Sequence, residues 1–141
     1  MQTIRYCERL RFCALCLLFS LAGTLQAQEW KLVWSDEFNT EGPPDSGSWN
    51  YERGFVRNEE LQWYQPGNAY CRGGLLIIEG RKEKVPNPRY NPQARDWRTS
   101  RQQADYTSSS ITTRNKRSFL YGRFEVRARI PLAGGSWPAI W

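Results

Sequence analysis

The feature that most constrains the fold of this chain is residues 123–130, in which charged and apolar side chains alternate strictly. The apolar set is Phe124, Val126, Ala128 and Ile130, and the charged set is Arg123, Glu125, Arg127 and Arg129. A period of two places the two sets on opposite faces of a β-strand. We therefore expect one face of this strand to lie on a core and the other to carry a row of charge.

Three other stretches predict extended structure. Residues 30–34 are rich in β-forming side chains, and residues 106–113 read as a polar strand. Residues 69–83 predict a hairpin that turns at 72–74 and has a buried second arm at 75–80.

The proline-rich residues 84–105 show neither a helix nor a strand period, so we expect a long surface loop there. Nowhere do apolar residues recur at helical spacing over three turns. Short strands with turns between them indicate an all-β sandwich or barrel.

The first 27 residues predict a secretory signal peptide, which leaves 28–141 as the secreted part. Arginines precede an apolar run of 11 residues, and Leu25-Gln26-Ala27 is an acceptable cleavage site. That run is well short of the ~20 residues that a membrane span needs. We expect an extracellular or periplasmic protein with Cys71 as its one cysteine, and hence no internal disulfide.

Composition excludes several classes of chemistry within these residues. The chain has no His, which rules out Ser-His, Cys-His and His-metal sites here. The acidic pairs Asp36-Glu37 and Glu59-Glu60 are sequence neighbours, which point to opposite faces of a strand and do not suit a shared acid/base site. The net charge of +6 is concentrated at residues 81–117, which hold ten Lys and Arg and three acidic side chains.

Aromatic residues are abundant, with seven Trp, seven Tyr and six Phe. Flat apolar rings with a polar edge suit both burial and stacking on sugar rings. Trp137 and Trp141 flank Pro138 beside the flexible Gly134-Gly135 pair, a plausible wall for a cleft.

Five motifs in order resemble glycoside hydrolase family 16, with the laminarinase-like endo-β-glucanases as the nearest branch. They are Trp30-Lys-Leu-Val-Trp-Ser-Asp-Glu-Phe38, Asn58-Glu-Glu-Leu-Gln62, Tyr106-Thr-Ser-Ser-Ser-Ile-Thr-Thr113, Tyr121-Gly-Arg-Phe-Glu-Val-Arg127 and Gly135-Ser-Trp-Pro-Ala-Ile-Trp141. The resemblance covers the chain after the signal peptide, apart from residues 84–105.

The resemblance implies a concanavalin-like β-jelly-roll of two curved antiparallel sheets, with only its N-terminal half present. It also implies a retaining endo-glycosidase that hydrolyses internal β-1,3 or mixed β-1,3/1,4 linkages of glucans such as laminarin. The family's catalytic glutamates lie in a Glu-x-Asp-x-x-Glu motif, which these 141 residues do not contain. We expect that motif beyond Trp141 and expect residues 28–141 alone to be inactive.

Site residues carried over from the resemblance form a substrate-binding wall. They are Asn58, Glu125, Arg127, Trp137 and Trp141, with Arg123 on the same strand face as Glu125. Glu37 resembles a position near a structural calcium site in some members, and no other cofactor is implied.

Two other readings remain open. One is a non-catalytic β-glucan-binding module of the same fold, which the next stretch of the gene would distinguish from an enzyme. The other is a nucleic-acid or polyanion binder, suggested by the basic residues 81–117. We favour a monomeric enzyme that binds β-glucan and neither nucleic acid nor, after signal cleavage, a membrane.

Overall fold

The computed structural model describes residues 29–141, so the predicted signal peptide at 1–27 lies outside the described residues. The chain divides into two compact units, Met1–Asp36 and Glu37–Trp141. In the first unit, residues 29–36 form no regular secondary structure, and the strand predicted at 30–34 is wrong. β-Forming residues become a strand only when a neighbouring strand pairs with their backbone groups.

The second unit is built from short strands, which confirms the predicted all-β fold class. The strands are β1 (Asn50–Tyr51), β2 (Gln62–Tyr64), β3 (Ala69–Arg72), β4 (Leu75–Ile78), β5 (Val85–Pro86), β6 (Gln103–Ala104), β7 (Tyr106–Ser108) and β8 (Ile111–Thr112). A 3-10 turn at Pro66–Asn68 precedes β3, and a single helical turn, α1, spans Trp97–Ser100.

Strand pairing joins distant parts of the sequence. Antiparallel pairs form between β1 and β8, β3 and β4, and β5 and β6. The pair β2–β7 is parallel, with Trp63 opposite Thr107. Parallel neighbours need a crossover of a dozen or more residues, and residues 65–105 supply one. The pairing therefore departs from an antiparallel pattern at this one place among the described strands.

The predicted hairpin is confirmed as β3–β4, with Ala69 opposite Ile78 and Arg72 opposite Leu75. Gly73 and Gly74 form its turn with φ of 58° and 71°, a conformation that glycine adopts without steric cost. The predicted burial of the second arm is wrong, because Leu75 and Ile78 are 56% and 47% exposed. Leu75 and Ile78 point to opposite faces of β4, so each face of this strand has an exposed apolar side chain.

The centre of the second unit is polar. Asn68 is fully buried, and its Nδ2 donates to the Glu79 carbonyl and to Thr107 Oγ1, each at 3.0 Å. Gln65 Nε2 donates to Asn68 Oδ1 at 2.9 Å, and Glu83 Oε1 accepts from Gln65 Nε2 and from the Thr107 hydroxyl. We call these five residues the Asn68 cluster. It ties the β3–β4 hairpin to β7, since Asn68 precedes β3, Glu79 follows β4 and Thr107 lies in β7.

Residues 84–105 are more ordered than the sequence indicated. They contain β5, α1 and β6, and the Asp96 carboxylate caps α1 by accepting from the Arg98 N–H at 3.0 Å. The Asn87 amide donates to the carbonyls of Arg98 and Arg101, both at 2.8 Å. The sequence predicted a long surface loop without helix or strand, and short elements form here because side-chain contacts to backbone, which leave no periodic pattern, organise this segment.

Residues 119–141, which we call the exposed ribbon, form no strand and are exposed at every position. The strand predicted at 123–130 is therefore wrong for the described residues. Phe124, Val126 and Ile130 are 70%, 62% and 56% exposed, so the expected core-facing side has no core against it. An alternating sequence becomes a strand only when a neighbour accepts its hydrogen bonds and its apolar face, and no described segment does so here.

No helix within residues 29–141 is long and apolar enough to cross a membrane.

Candidate substrate-binding site

Arg57 lies at the centre of the candidate site. Its guanidinium carbon is 5.8 Å from the centroid of the Tyr64 ring and 5.2 Å from that of the Trp141 ring. Its Nη2 pairs with Glu52 Oε2, and Ser110 Oγ donates to the same oxygen at 2.6 Å. Arg57 therefore links β1, β2 and the exposed ribbon through one side chain.

The ion pair at this centre is half-buried, with both side chains 24% exposed. Burial by itself would raise the pKa of Glu52, but hydrogen bonds from Arg57 and Ser110 outweigh burial and lower that pKa below 4.5. Burial opposes the charge of Arg57 in the same way, and the hydrogen bond to Glu52 more than compensates and raises its pKa. Glu52 is thus an ionised acceptor at neutral pH.

A chain of hydrogen bonds runs along one face of β2 and the residues just before it. Gln62 Nε2 donates to the Tyr64 hydroxyl at 2.8 Å, and that hydroxyl donates to Glu60 Oε2 at 2.8 Å. Burial and then the hydrogen bond to Glu60 raise the pKa of Tyr64, so the phenol stays protonated. The arrangement fixes the Tyr64 ring against which Arg57 stacks.

Asn58 follows Arg57 in an exposed turn, where the Glu60 N–H donates to the Arg57 carbonyl at 3.1 Å. Asn58 and Glu59 have φ of 54° and 52°, a left-handed conformation that is unusual for residues other than glycine. The turn presents the Asn58 side chain to solvent beside Arg57.

One of the predicted site residues contacts the Arg57 side chain, and another follows Arg57 in the sequence. Asn58 lies next to Arg57 in sequence, and Trp141 lies under the Arg57 guanidinium while remaining 90% exposed. An exposed indole held by a cation on one side leaves its other surface available to a sugar ring.

The remaining predicted residues lie in the exposed ribbon without such support. Arg123 Nη2 and Glu125 Oε1 form an exposed ion pair with each other, although the sequence suggested a row of three arginines around the glutamate. Arg127 is exposed, and Trp137 is 92% exposed. Their role as cleft residues stays a prediction.

The calcium prediction at Glu37 also stays a prediction. Residues 29–141 contain no group of three or more His, Cys, Asp or Glu side chains placed to hold a metal ion. Glu37 is exposed, and no further acidic ligand is assembled around it in this part of the chain.

Sequence reasoning missed Arg57, Glu52 and Tyr64 as site residues. One signal was visible, because Glu60, Gln62 and Tyr64 recur at a spacing of two and share one strand face. The pairing of Glu52 with Arg57 and Ser110 left no local signal, since Ser110 is 58 residues away from Glu52.

Comparison with known proteins identifies relatives of this chain. No protein-family model matches the chain. A β-glucanase from Rhodothermus marinus is 43% identical over 121 residues, which are 82% of this chain and 37% of that protein.

Two solved structures also match. One, from work on endo-acting O-glycanases of the human gut microbiota that initiate mucin breakdown, has a TM-score of 0.61 at 35% identity and covers 70% of this chain and 36% of that one. The catalytic domain of an endo-1,3-β-glucanase (laminarinase) from Thermotoga petrophila RKU-1 has a TM-score of 0.53 at 35% identity over 68% and 36% of the two chains.

These matches extend over most of the chain but little more than a third of each relative. They place its short strands within the jelly-roll architecture of the glucanases. The chain is therefore similar to β-glucanases and laminarinases over most of its length, in agreement with the resemblance of its motifs to glycoside hydrolase family 16.

Proposed function

We propose that the intact protein is a retaining endo-glycosidase that hydrolyses internal β-1,3 or mixed β-1,3/1,4 linkages of glucans such as laminarin. Residues 29–141 supply part of the wall that binds the polysaccharide. The β-glucanase and laminarinase relatives support the substrate class. The observation that carries the proposal in this chain is the stack of Arg57 on the exposed Trp141 beside Asn58.

This arrangement suits a sugar chain for chemical reasons. The free surface of the Trp141 ring offers an apolar platform to the C–H face of a glucose unit. Asn58 can donate and accept hydrogen bonds to hydroxyl groups at the edge of that unit. The Arg57 guanidinium, held by Glu52, provides fixed donors that do not reorganise on binding.

In this proposal, residues 29–141 bind and orient the polysaccharide. The two carboxyl groups that carry out the reaction belong to the Glu-x-Asp-x-x-Glu motif that the resemblance implies. A retaining mechanism needs two carboxyls about 5–5.5 Å apart, one of them protonated. Glu52 does not fit the role of the acid, because its lowered pKa keeps it ionised. Glu60 accepts from Tyr64, and Glu79 accepts from Tyr70 and Arg81, so both serve structural contacts.

A non-catalytic β-glucan-binding module of the same fold is the second candidate. The candidate site in residues 29–141 supports this alternative, because its contacts serve binding and none of them supplies a catalytic acid. A nucleic-acid binder is disfavoured, because Arg98 and Arg101 of the basic region donate to backbone carbonyls within the chain. We also propose a secreted, monomeric protein that requires no cofactor for catalysis. The predicted signal peptide supports secretion.

The test is hydrolysis of laminarin and of mixed-linkage barley glucan by the intact protein, with the released oligosaccharides separated by anion-exchange chromatography. We expect short oligosaccharides whose new reducing ends appear first as the β-anomer in proton NMR spectra. Trp141→Ala should weaken laminarin binding about tenfold, by loss of one stacking platform.

Leu132→Ala is the matched control, since Leu132 is 95% exposed in the same ribbon, and it should leave binding unchanged. Binding without products would support the non-catalytic module instead. Failure to bind or cleave either glucan would show that the proposed function is wrong.

A further inference from the structure

The turn that carries Asn58 is held in an unfavourable backbone conformation. Two successive residues, Asn58 and Glu59, have φ near +50°. Asn tolerates this conformation better than most residues, but Glu does not. Within the turn, the hydrogen bond from the Glu60 N–H to the Arg57 carbonyl stabilises this conformation. Strained turns persist only where surrounding groups over-determine them.

Two arginines from the segment 84–105 supply that support. Arg98 donates from Nε and Nη2 to the Val56 carbonyl at 3.1 and 2.9 Å. Arg101 donates from Nη1 to the Glu60 carbonyl at 2.6 Å and from Nη2 to the Glu59 carbonyl at 3.0 Å. The two guanidinium groups thus bind backbone carbonyls on both sides of Asn58.

Aromatic rings fix both guanidinium groups in place. The Arg101 guanidinium carbon is 5.2 Å from the Phe55 centroid and 5.0 Å from that of Trp97, and the Arg98 carbon is 4.8 Å from that of Trp97. Phe55 is 2% exposed and makes an edge contact with Trp63 of β2 at 5.3 Å. The arginines therefore rest on a rigid base that continues into the strand beside the site.

The backbone that carries the two arginines is fixed as well. Asn87, which is 5% exposed, donates through one amide nitrogen to the carbonyls of Arg98 and Arg101. The Asp96 cap holds the start of α1. Every part of the support, from Asn87 to the carbonyls of the turn, is tied by hydrogen bonds of 2.6–3.1 Å.

We propose that Arg98 and Arg101 are positioning residues that hold the Asn58 turn in its strained form and so set the affinity for glucan. The proposal rests on the proposed function for its substrate. Neither arginine needs to touch the sugar, because each acts through the turn backbone. A lysine cannot replace either one, since a single ammonium cannot bind two carbonyls as Arg101 does, or bind one carbonyl through two nitrogens as Arg98 does, while a planar group stacks on Trp97.

The first test is hydrogen exchange at the amides of residues 57–60 in the intact protein. Arg101→Lys and Arg98→Lys should each speed exchange there about tenfold or more, whereas Arg95→Lys should not. Arg95 is an exposed arginine of the same segment, which makes it a matched control. Thermal melting of each variant reports whether the fold survives, and having two independent variants keeps the test decisive if one fails to fold. Unchanged exchange in the turn would overturn the proposal.

The second test measures laminarin hydrolysis by the same variants. Arg101→Lys should raise KM about tenfold and change kcat by less than about threefold, because the turn acts on binding. In an Asn58→Ala background the same substitution should raise KM no further, since the residue it positions is gone. Additive effects on KM would contradict positioning through Asn58. A wild-type protein without hydrolysis would defeat the proposed function, while hydrogen exchange would still decide whether the arginines hold the turn.

Discussion

Residues 37–113 and the exposed ribbon differ in a way that their sequences do not suggest. The ribbon has the more regular pattern, with strict alternation over residues 123–130, yet it forms no strand. Residues 37–113 have irregular patterns and contain all eight described strands, none longer than four residues. Pattern regularity therefore did not decide which segment became ordered.

Polar contacts between residues far apart in the sequence decide which segment is ordered. In residues 37–113, buried side chains such as Asn68 and half-buried ones such as Glu52 bind partners far away in sequence. In the ribbon, Arg123 pairs with Glu125 and Phe119 contacts Phe124, while Trp141 contacts Arg57 and remains 90% exposed. Short strands gain most of their stability from such tertiary contacts, because their own ladders are too short to offset the entropy of ordering.

The substitution that we expect to lower stability most is Asn68→Ala. The substitution leaves the Glu79 carbonyl without its side-chain donor and the Thr107 hydroxyl with Glu83 as its remaining side-chain partner, and we expect it to lower the free energy of unfolding by about 2–4 kcal/mol. Urea denaturation followed by tryptophan fluorescence measures the loss. Asn39→Ala, at an exposed position, serves as the control and should change stability by less than about 0.5 kcal/mol. Equal losses of stability at the two positions would show that the Asn68 cluster does not stabilise residues 37–113.

Two glutamate–arginine pairs, one in each region, sharpen the comparison further. Glu52→Gln breaks a half-buried ion pair and weakens the contact to Ser110, which should cost about 1–2 kcal/mol after allowance for its partial exposure. Glu125→Gln breaks a pair whose side chains are 73% and 58% exposed, and should cost less than about 0.5 kcal/mol. Parallel urea titrations of the two variants provide the measurement. A larger loss at Glu125 would mean that the ribbon is the more tightly held region.

The pH dependence of stability should also separate wild type from Glu52→Gln. The native pKa of Glu52 lies below its ordinary value of 4.5, so its ion pair stabilises the fold above that pH. As pH falls from 4.5 through the native pKa, the carboxylate is protonated and this contribution disappears. The difference in urea midpoint between wild type and variant should be constant near neutrality and shrink in acid. A difference that grew in acid would contradict the lowered pKa.

The smallest effect is expected for Val126→Ser in the ribbon. Val126 is 62% exposed, so the substitution should change the free energy of unfolding by less than about 0.5 kcal/mol. The sequence pattern alone predicts a loss of about 1–3 kcal/mol, as for a valine on a core-facing strand. The urea midpoint of the variant therefore decides between the pattern and the structure.

Much of the fold was predictable where the signal was local. The hairpin β3–β4 follows from two glycines between runs of β-forming residues, and the Ser and Thr run at 106–113 predicted one polar strand, which the structure divides into β7 and β8. The order within residues 84–105 was not predictable. It depends on Asn87 and two arginines that bind backbone carbonyls, and one of those carbonyls, at Val56, lies 42 residues from Arg98.

The candidate site shows the same division. Asn58 and Trp141 were predicted from their motifs, and their role in binding stays a prediction, although Trp141 does lie against Arg57. Arg57 itself was not found, because its importance comes from the Tyr64 and Trp141 rings on which it stacks and from its pairing with Glu52. Resemblance locates single residues, whereas the contacts that join them come only from the fold.

The Asn68 cluster has a consequence for the order in which the chain folds during synthesis. Its contact from Asn68 to Thr107 spans 39 residues, whereas the β3–β4 hairpin pairs residues at most nine apart. A hairpin of that size closes within about 1–10 μs once its residues are free to meet. The cluster must wait until Thr107 has left the ribosome, at about 5–20 residues per second. The polar centre therefore stays unfilled for about 1.5–6 seconds between the emergence of Ile78 and that of Thr107, and Asn68 is the residue whose burial ends that interval.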